Sequence, residues 1–92
     1  MVEQIVVVTN RLGLHARAAA QLVSIANRFS CQMRIERLDQ SASADAKSIL
    51  SVLMLAASRG TELRLSANGT DENEAIFALA SLVASGFGEE VL

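Results

Sequence analysis

The chain has 92 residues, enough for one domain, and 51% of them are hydrophobic, yet only three are aromatic and all three are Phe. A net charge of −2 and a pI near 5.2, with no stacking aromatics among scattered basic residues, exclude a nucleic-acid surface. A chain this short buries roughly 60–65% of its unfolded surface, enough for a core, and with so few aromatics that core must be built from Ala, Val, Leu and Ile. A single cysteine, Cys31, excludes an internal disulfide, and with one histidine in the chain there is no Cys/His ligand set for zinc. Cys31 reads as a small buried hydrophobe. No signal-peptide pattern opens the chain, and no apolar run approaches the ~18 residues of a membrane span. The expectation is one reduced, cytoplasmic domain over residues 1–92, without membrane insertion.

Residues 1–9 read as a strand, because Ile5-Val6-Val7-Val8 is β-branched throughout; its unbroken apolar run fits an inner strand. Residues 10–14 form a loop in which Gly13 is free to take a backbone angle that other residues resist. Over residues 16–29, Ala19, Leu22, Val23, Ala26 and Phe29 follow helical spacing, and Ser30 ends the helix. Residues 31–37 alternate, so Cys31, Met33 and Ile35 face the core. A turn at 38–40 leads to a short strand at 41–44, with no Asn-Gly or Asp-Gly pair to fix the hairpin. Asp45 or Ala46 then leads into a helix over residues 47–55, closed by Arg59-Gly60. Residues 61–67 alternate again, with Leu63, Leu65 and Ala67 inward, and Asn68-Gly69 turns the chain. Thr70 or Asp71 caps the last helix, whose first turn carries Asp71, Glu72 and Glu74 as the dipole favours. Ile76, Leu79, Ala80 and Val83 form its buried stripe. Gly86 ends it, and residues 87–92 are a tail, flexible over 88–92.

The order βαββαβα, with strands wet on one face, implies a two-layer α+β sandwich. Its middle helix is too apolar for one buried stripe: Ile49, Leu50, Val52, Leu53, Met54 and Leu55 point all round it. Some of these must be exposed, and an exposed apolar patch marks a partner site.

The chain's only histidine, His15, stands where the first strand-like run gives way to the first helix, beside the free N–H groups of a helix start. Arg17 adds a fixed positive charge two residues on. That pattern suits an imidazole that takes on a phosphoryl group of charge roughly −1.5 to −2. A helix start contributes ~0.3–1 kcal/mol toward such a group, and hydrogen bonds from arginine about 1.5–3 kcal/mol. A group that must leave again suits a shallow, open site. No second acid/base residue lies near His15 in the sequence, and there is no Gly-rich phosphate loop and no metal set. The chemistry must then be completed in a partner's active site, which describes a carrier with no cofactor rather than a free-standing enzyme.

Gly13-Leu14-His15-Ala16-Arg17 resembles the active-site signature of HPr, the histidine phosphocarrier of the bacterial phosphoenolpyruvate-dependent phosphotransferase system. Lys47-Ser48-Ile49-Leu50 is similar to the family's regulatory-serine segment, and residues 67–75 to its last turn and helix start. The resemblance implies an open-faced βαββαβα sandwich, a four-stranded antiparallel sheet covered on one face by three helices. It implies that His15 is phosphorylated on Nδ1 by enzyme I and passes the group to IIA-type acceptors, in sugar uptake or nitrogen-related regulation, with Arg17 neutralising the phosphate. Ser48 matches the serine that a dedicated serine kinase/phosphorylase modifies in some branches, though serine at a helix start is commonly a cap and Asp45 competes for that role. Leu14, Ala20, Gln21, Ile49, Leu50 and Leu53 match the docking surface, and the protein is expected to act as a monomer. The alternative is a non-catalytic regulatory module that binds partners according to the state of His15 and Ser48. Two positions depart from the pattern. Ala18 stands where the family usually has proline, which should loosen the first turn and alter transfer kinetics. Leu12 stands where sugar-type members often carry Asn or Ser, and with the ending at residues 85–90 it looks more like the nitrogen-related branch, NPr.

Overall fold

The computed structural model describes residues 1–89. Strands β1 (Val2–Val7), β2 (Gln32–Arg37), β3 (Ser43–Asp45) and β4 (Glu62–Asn68) form one sheet in the order β1-β4-β2-β3. Every pairing is antiparallel. Helices α1 (Ala16–Ala26), α2 (Ile49–Met54) and α3 (Glu72–Ala84) complete the predicted βαββαβα order.

The alternating strands behave as their pattern requires. Met33 and Ile35 of β2, and Leu63, Leu65 and Ala67 of β4, are fully buried, while Gln32, Arg34 and Glu62 face water. Those inward residues meet Leu22, Ala18, Ala19 and Ala26 of α1, and Ala75, Leu79, Ala80 and Val83 of α3, in one core. The alanines leave no side chain to hold α1 away, so the small residues let this helix come close. Cys31 is buried in this core, and burial raises its thiol pKa above the ordinary value.

Several expectations need correction. β1 is an edge strand and not an inner one: among the described residues it pairs only with β4, and Ile5 and Val7 lie on exposed surface. β-Branched residues fit a pleated surface whether or not it is covered, so the apolar run reported strand propensity rather than burial. α1 stops at Ala26 instead of Phe29; Asn27 folds its side-chain amide back to the Val23 carbonyl, and the Lys47 ammonium takes the Phe29 carbonyl at 2.6 Å. β3 is shifted to Ser43–Asp45 from residues 41–44. Its hairpin is turned by Asp39, whose carboxylate accepts from the Ser41 N–H and hydroxyl and from the Arg37 guanidinium, with Gln40 at φ 62°. A side-chain-built turn of this kind does the work expected of an Asn-Gly pair. α2 is shorter than residues 47–55, because residues 46–48 form its approach and Leu55 is its C-cap. Asp71 stands at the start of α3 but does not cap it; its carboxylate accepts from the Ser30 and Cys31 N–H groups at 2.8 and 3.0 Å, tying α3 to the start of β2.

The tail also departs from its reading. Gly86, Phe87 and Gly88 take φ of 67°, 58° and 70°, a tight left-handed turn that buries Phe87 in the core. Left-handed backbone costs ~1–2 kcal/mol per residue with a Cβ, and flanking glycines leave Phe87 alone to bear it. Gly88 and Glu89 continue from this turn, the Glu89 N–H donating to the Gly86 carbonyl, and residues 90–92 of the expected flexible tail lie outside the described residues.

Candidate functional site

The loop between β1 and α1 is built to stop the chain and restart it as a helix. Gly13 has φ +68°, and a Cβ there would lie 2.5 Å from the Ala57 carbonyl oxygen. Only glycine lets the loop press against residues 57–58, where the Leu14 N–H donates to the Ala57 carbonyl at 2.8 Å. Asn10, buried, spans the loop by donating to the Gly13 carbonyl at 2.8 Å.

His15 follows as the N-cap of α1, with extended backbone (φ −73°, ψ 177°) and its carbonyl accepting the first helical bond, from Ala19 N–H at 2.8 Å. Its Nδ1 accepts from the Arg17 N–H at 3.3 Å, an imidazole in the role usually taken by Ser or Asp. Nε2 lies 2.6 Å from the Glu89 Oε2. With Nδ1 accepting, the proton of the neutral ring is on Nε2 and is donated to Glu89. The side chain remains 26% exposed, a shallow and open site. A hydrogen bond from His15 holds the Glu89 carboxyl below the ordinary glutamate value, against partial desolvation; the Asn10 amide, 3.3 Å away, and the charge of Arg17 act the same way as that bond. The sequence showed no second acid/base residue near the histidine; the fold brings one from 74 positions away. The signal for it was the Gly-Phe-Gly run at 86–88, whose glycines bracket a buried aromatic.

Arg17 is exposed, and its guanidinium makes no hydrogen bond among the described residues. It lines an open groove of about 510 Å³ along α1 with Ala20, Gln21, Ser24, Arg28 and Leu82. Of the expected docking residues, Ile49, Leu50 (66% exposed) and Leu53 are on the surface, joined by Met54 and Leu12, while Val52 and Leu55 turn inward. Ala20 is exposed and Gln21 half-buried. Leu14 is not a surface residue: at 5% exposure it plugs the core beneath the loop.

Ser48 is the N-cap of α2, accepting from the Ser51 N–H at 3.3 Å. Asp45 does not compete, since it accepts from the Lys47 N–H at 2.9 Å in a turn of its own. Ser48 and His15 are not neighbours. Contacts from Asn27 and Phe29 to Lys47 join the end of α1 to the start of α2, and Leu14 meets Ala57 beyond the end of α2. The two helices run antiparallel, so the apolar face of α2, roughly 9 Å long at about 1.5 Å per residue, separates the serine from the histidine. The first turn of α1 is closed without proline at Ala18, which is fully buried. Among the described residues no cluster of three potential metal ligands occurs, and no helix is long and apolar enough to cross a membrane.

The family model described as the PTS HPr component phosphorylation site matches residues 2–85. The phosphocarrier protein HPr of Pseudomonas aeruginosa is 48% identical over 84 residues, 91% of this chain and 92% of that one. The phosphocarrier protein NPr of Escherichia coli is 37% identical over 89 residues, 97% of this chain and 98% of its own. The crystal structure of HPr-C-His from Thermoanaerobacter tengcongensis superposes with a TM-score of 0.92 at 44% identity, covering 99% of this chain and 100% of that one. With likeness of sequence and fold running nearly end to end, and with a histidine capping a helix two residues before an arginine, the chain belongs to the HPr family of phosphocarriers of the phosphotransferase system.

Proposed function

We propose that this protein receives a phosphoryl group on Nδ1 of His15 from phospho-enzyme I, charged by phosphoenolpyruvate, and hands it to IIA-type acceptors. The observation that carries this reading is the direction of Nδ1, which faces the first N–H groups of α1. A phosphoryl group bonded there replaces the 3.3 Å contact from Arg17 N–H and lies at the positive end of the helix. The Arg17 guanidinium, which makes no hydrogen bond among the described residues, supplies further donors. Openness serves release: a carrier that gripped its phosphate by many buried donors would not give it up.

Ala20, Gln21, Ile49, Leu50 and Leu53 form the docking surface for enzyme I and the acceptors in this reading. Ser48 is a modification site for a serine kinase/phosphorylase at the far end of that surface; a phosphate there acts by adding charge to the docking face, not by touching His15. The chain works as one domain, as a monomer, in the cytoplasm. The test is incubation with phosphoenolpyruvate and enzyme I, followed by intact mass measurement before and after brief acid treatment. One phosphate gained, removed by acid and absent from His15→Ala, is the expected result. No gain with the cognate enzyme I refutes the proposal.

A further inference from the structure

We propose that Glu89 is the positioning residue for His15: by accepting the Nε2–H at 2.6 Å it confines the ring's lone pair to Nδ1 and aims that nitrogen at the helix start. The inference rests on the carrier reading above and names what prepares the nucleophile.

A neutral imidazole has two tautomers of similar energy, and only the one with its proton on Nε2 can attack through Nδ1. Something must choose between them. The Arg17 N–H, at 3.3 Å, is a long contact and alone a weak chooser. The carboxylate of Glu89 is a short, charge-assisted one. Its placement is built rather than incidental. The left-handed turn at 86–88 is pinned by buried Phe87, and it runs so near the histidine loop that a Cβ on Gly86 would stand 3.7 Å from the Cβ of Asn10. Glu89 then emerges in extended backbone, its N–H donating to the Gly86 carbonyl at 3.1 Å. Asn10 donates its amide both to the Gly13 carbonyl and to the same Glu89 oxygen, so the histidine loop and the tail share one buried linker.

The transfer balances without a proton leaving the site. The Nδ1 lone pair forms the nitrogen–phosphorus bond while the bond from phosphorus to the donor's leaving atom breaks, its electron pair departing with the donor. The Nε2 proton stays, so the phosphorylated ring is a cation beside the Glu89 carboxylate. In the return direction that cationic ring leaves readily, taking back the bonding pair as the Nδ1 lone pair. One carboxylate therefore serves both loading and unloading.

The experiment is ring ¹⁵N spectroscopy of His15 in wild type, Glu89→Ala and Glu89→Gln, with single-turnover transfer from phospho-enzyme I on the same samples and a melting curve to check the fold. Wild type should show the Nε2–H form. Glu89→Ala should show a tautomer mixture and lose about 10-fold or more in transfer rate, by analogy with the loss seen when the partner that orients a metal-bound histidine is removed. Glu89→Gln, whose amide oxygen still accepts, should recover the tautomer but not the full rate, because the cationic ring lacks its counter-charge. A Glu89→Ala protein matching wild type in spectrum or in rate overturns the role of Glu89. A wild type that takes no phosphate overturns the carrier reading instead, and the spectra report on Glu89 independently of it.

Discussion

Gly13→Ala should be among the most damaging single-methyl additions in this protein, although the residue carries no chemistry. An alanine Cβ would stand 2.5 Å from the Ala57 carbonyl oxygen and 2.9 Å from the Ser58 Cα, both backbone atoms that cannot rotate away. Its φ of +68° adds ~1–2 kcal/mol for a residue with a Cβ. Relieving the clash means displacing the 57–58 segment, an overpacking cost of about 1–3 kcal/mol. That displacement takes with it the 2.8 Å bond from Leu14 N–H to the Ala57 carbonyl, about 0.5–1.5 kcal/mol net. The sum, ~2.5–6.5 kcal/mol, rivals the whole stability of a small domain. Urea denaturation of wild type and Gly13→Ala gives the difference directly. A loss under about 1 kcal/mol would refute the reasoning, since it would mean that the loop can retreat from residues 57–58 without strain.

Further outcomes follow from other contacts. Hydrogen bonding from the Ser30 N–H lowers the Asp71 carboxyl below its ordinary value, so the ionised form stabilises the fold above about pH 4 and that contribution fades as pH falls through the folded value. Asp71→Asn should therefore melt below wild type at pH 7, with the gap narrowing at pH 3; a constant gap would contradict this. Leu50→Glu, at an exposed position, should leave stability within about 0.5 kcal/mol yet raise the KM of enzyme I for this protein several-fold; an unchanged KM removes Leu50 from the docking surface. Ala18→Pro should not unfold the protein, because the backbone ladder of α1 begins at Ala19 N–H and the ring costs no ladder bond. Its transfer rate should nevertheless differ from wild type, as measured by quenched single-turnover assay.

Much of the fold was legible because burial and period agree: Met33, Ile35, Leu63, Leu65 and Ala67 alternate in sequence and are all fully buried. The histidine's setting was legible because a strand-like run meets a helix-like one at residue 15. What escaped was whatever depends on long-range placement. An edge strand and an inner strand can share the run Ile5 to Val8, since β-branched propensity is a local property. Asp71 looked like the cap of its own helix, yet its carboxylate serves residues 30 and 31. Leu14 adjoins the histidine in sequence but faces the opposite way. Glu89 was not read as part of the site, because the Gly-Phe-Gly run before it announces a turn around a buried aromatic but not which distant residue that turn will face.

The pairing of β1 with β4 and the seating of Leu14 on Ala57 have a consequence for biosynthesis. At ~5–20 residues per second, about 2–10 s separate the emergence of His15 from that of the segments that frame it. Contacts so distant in sequence also form late once the chain is free, since the loop must close before they contribute. The histidine is thus made early and equipped last. A nascent chain halted before residue 57 lacks the frame of the capped loop, and a chain halted before residue 89 lacks the carboxylate as well.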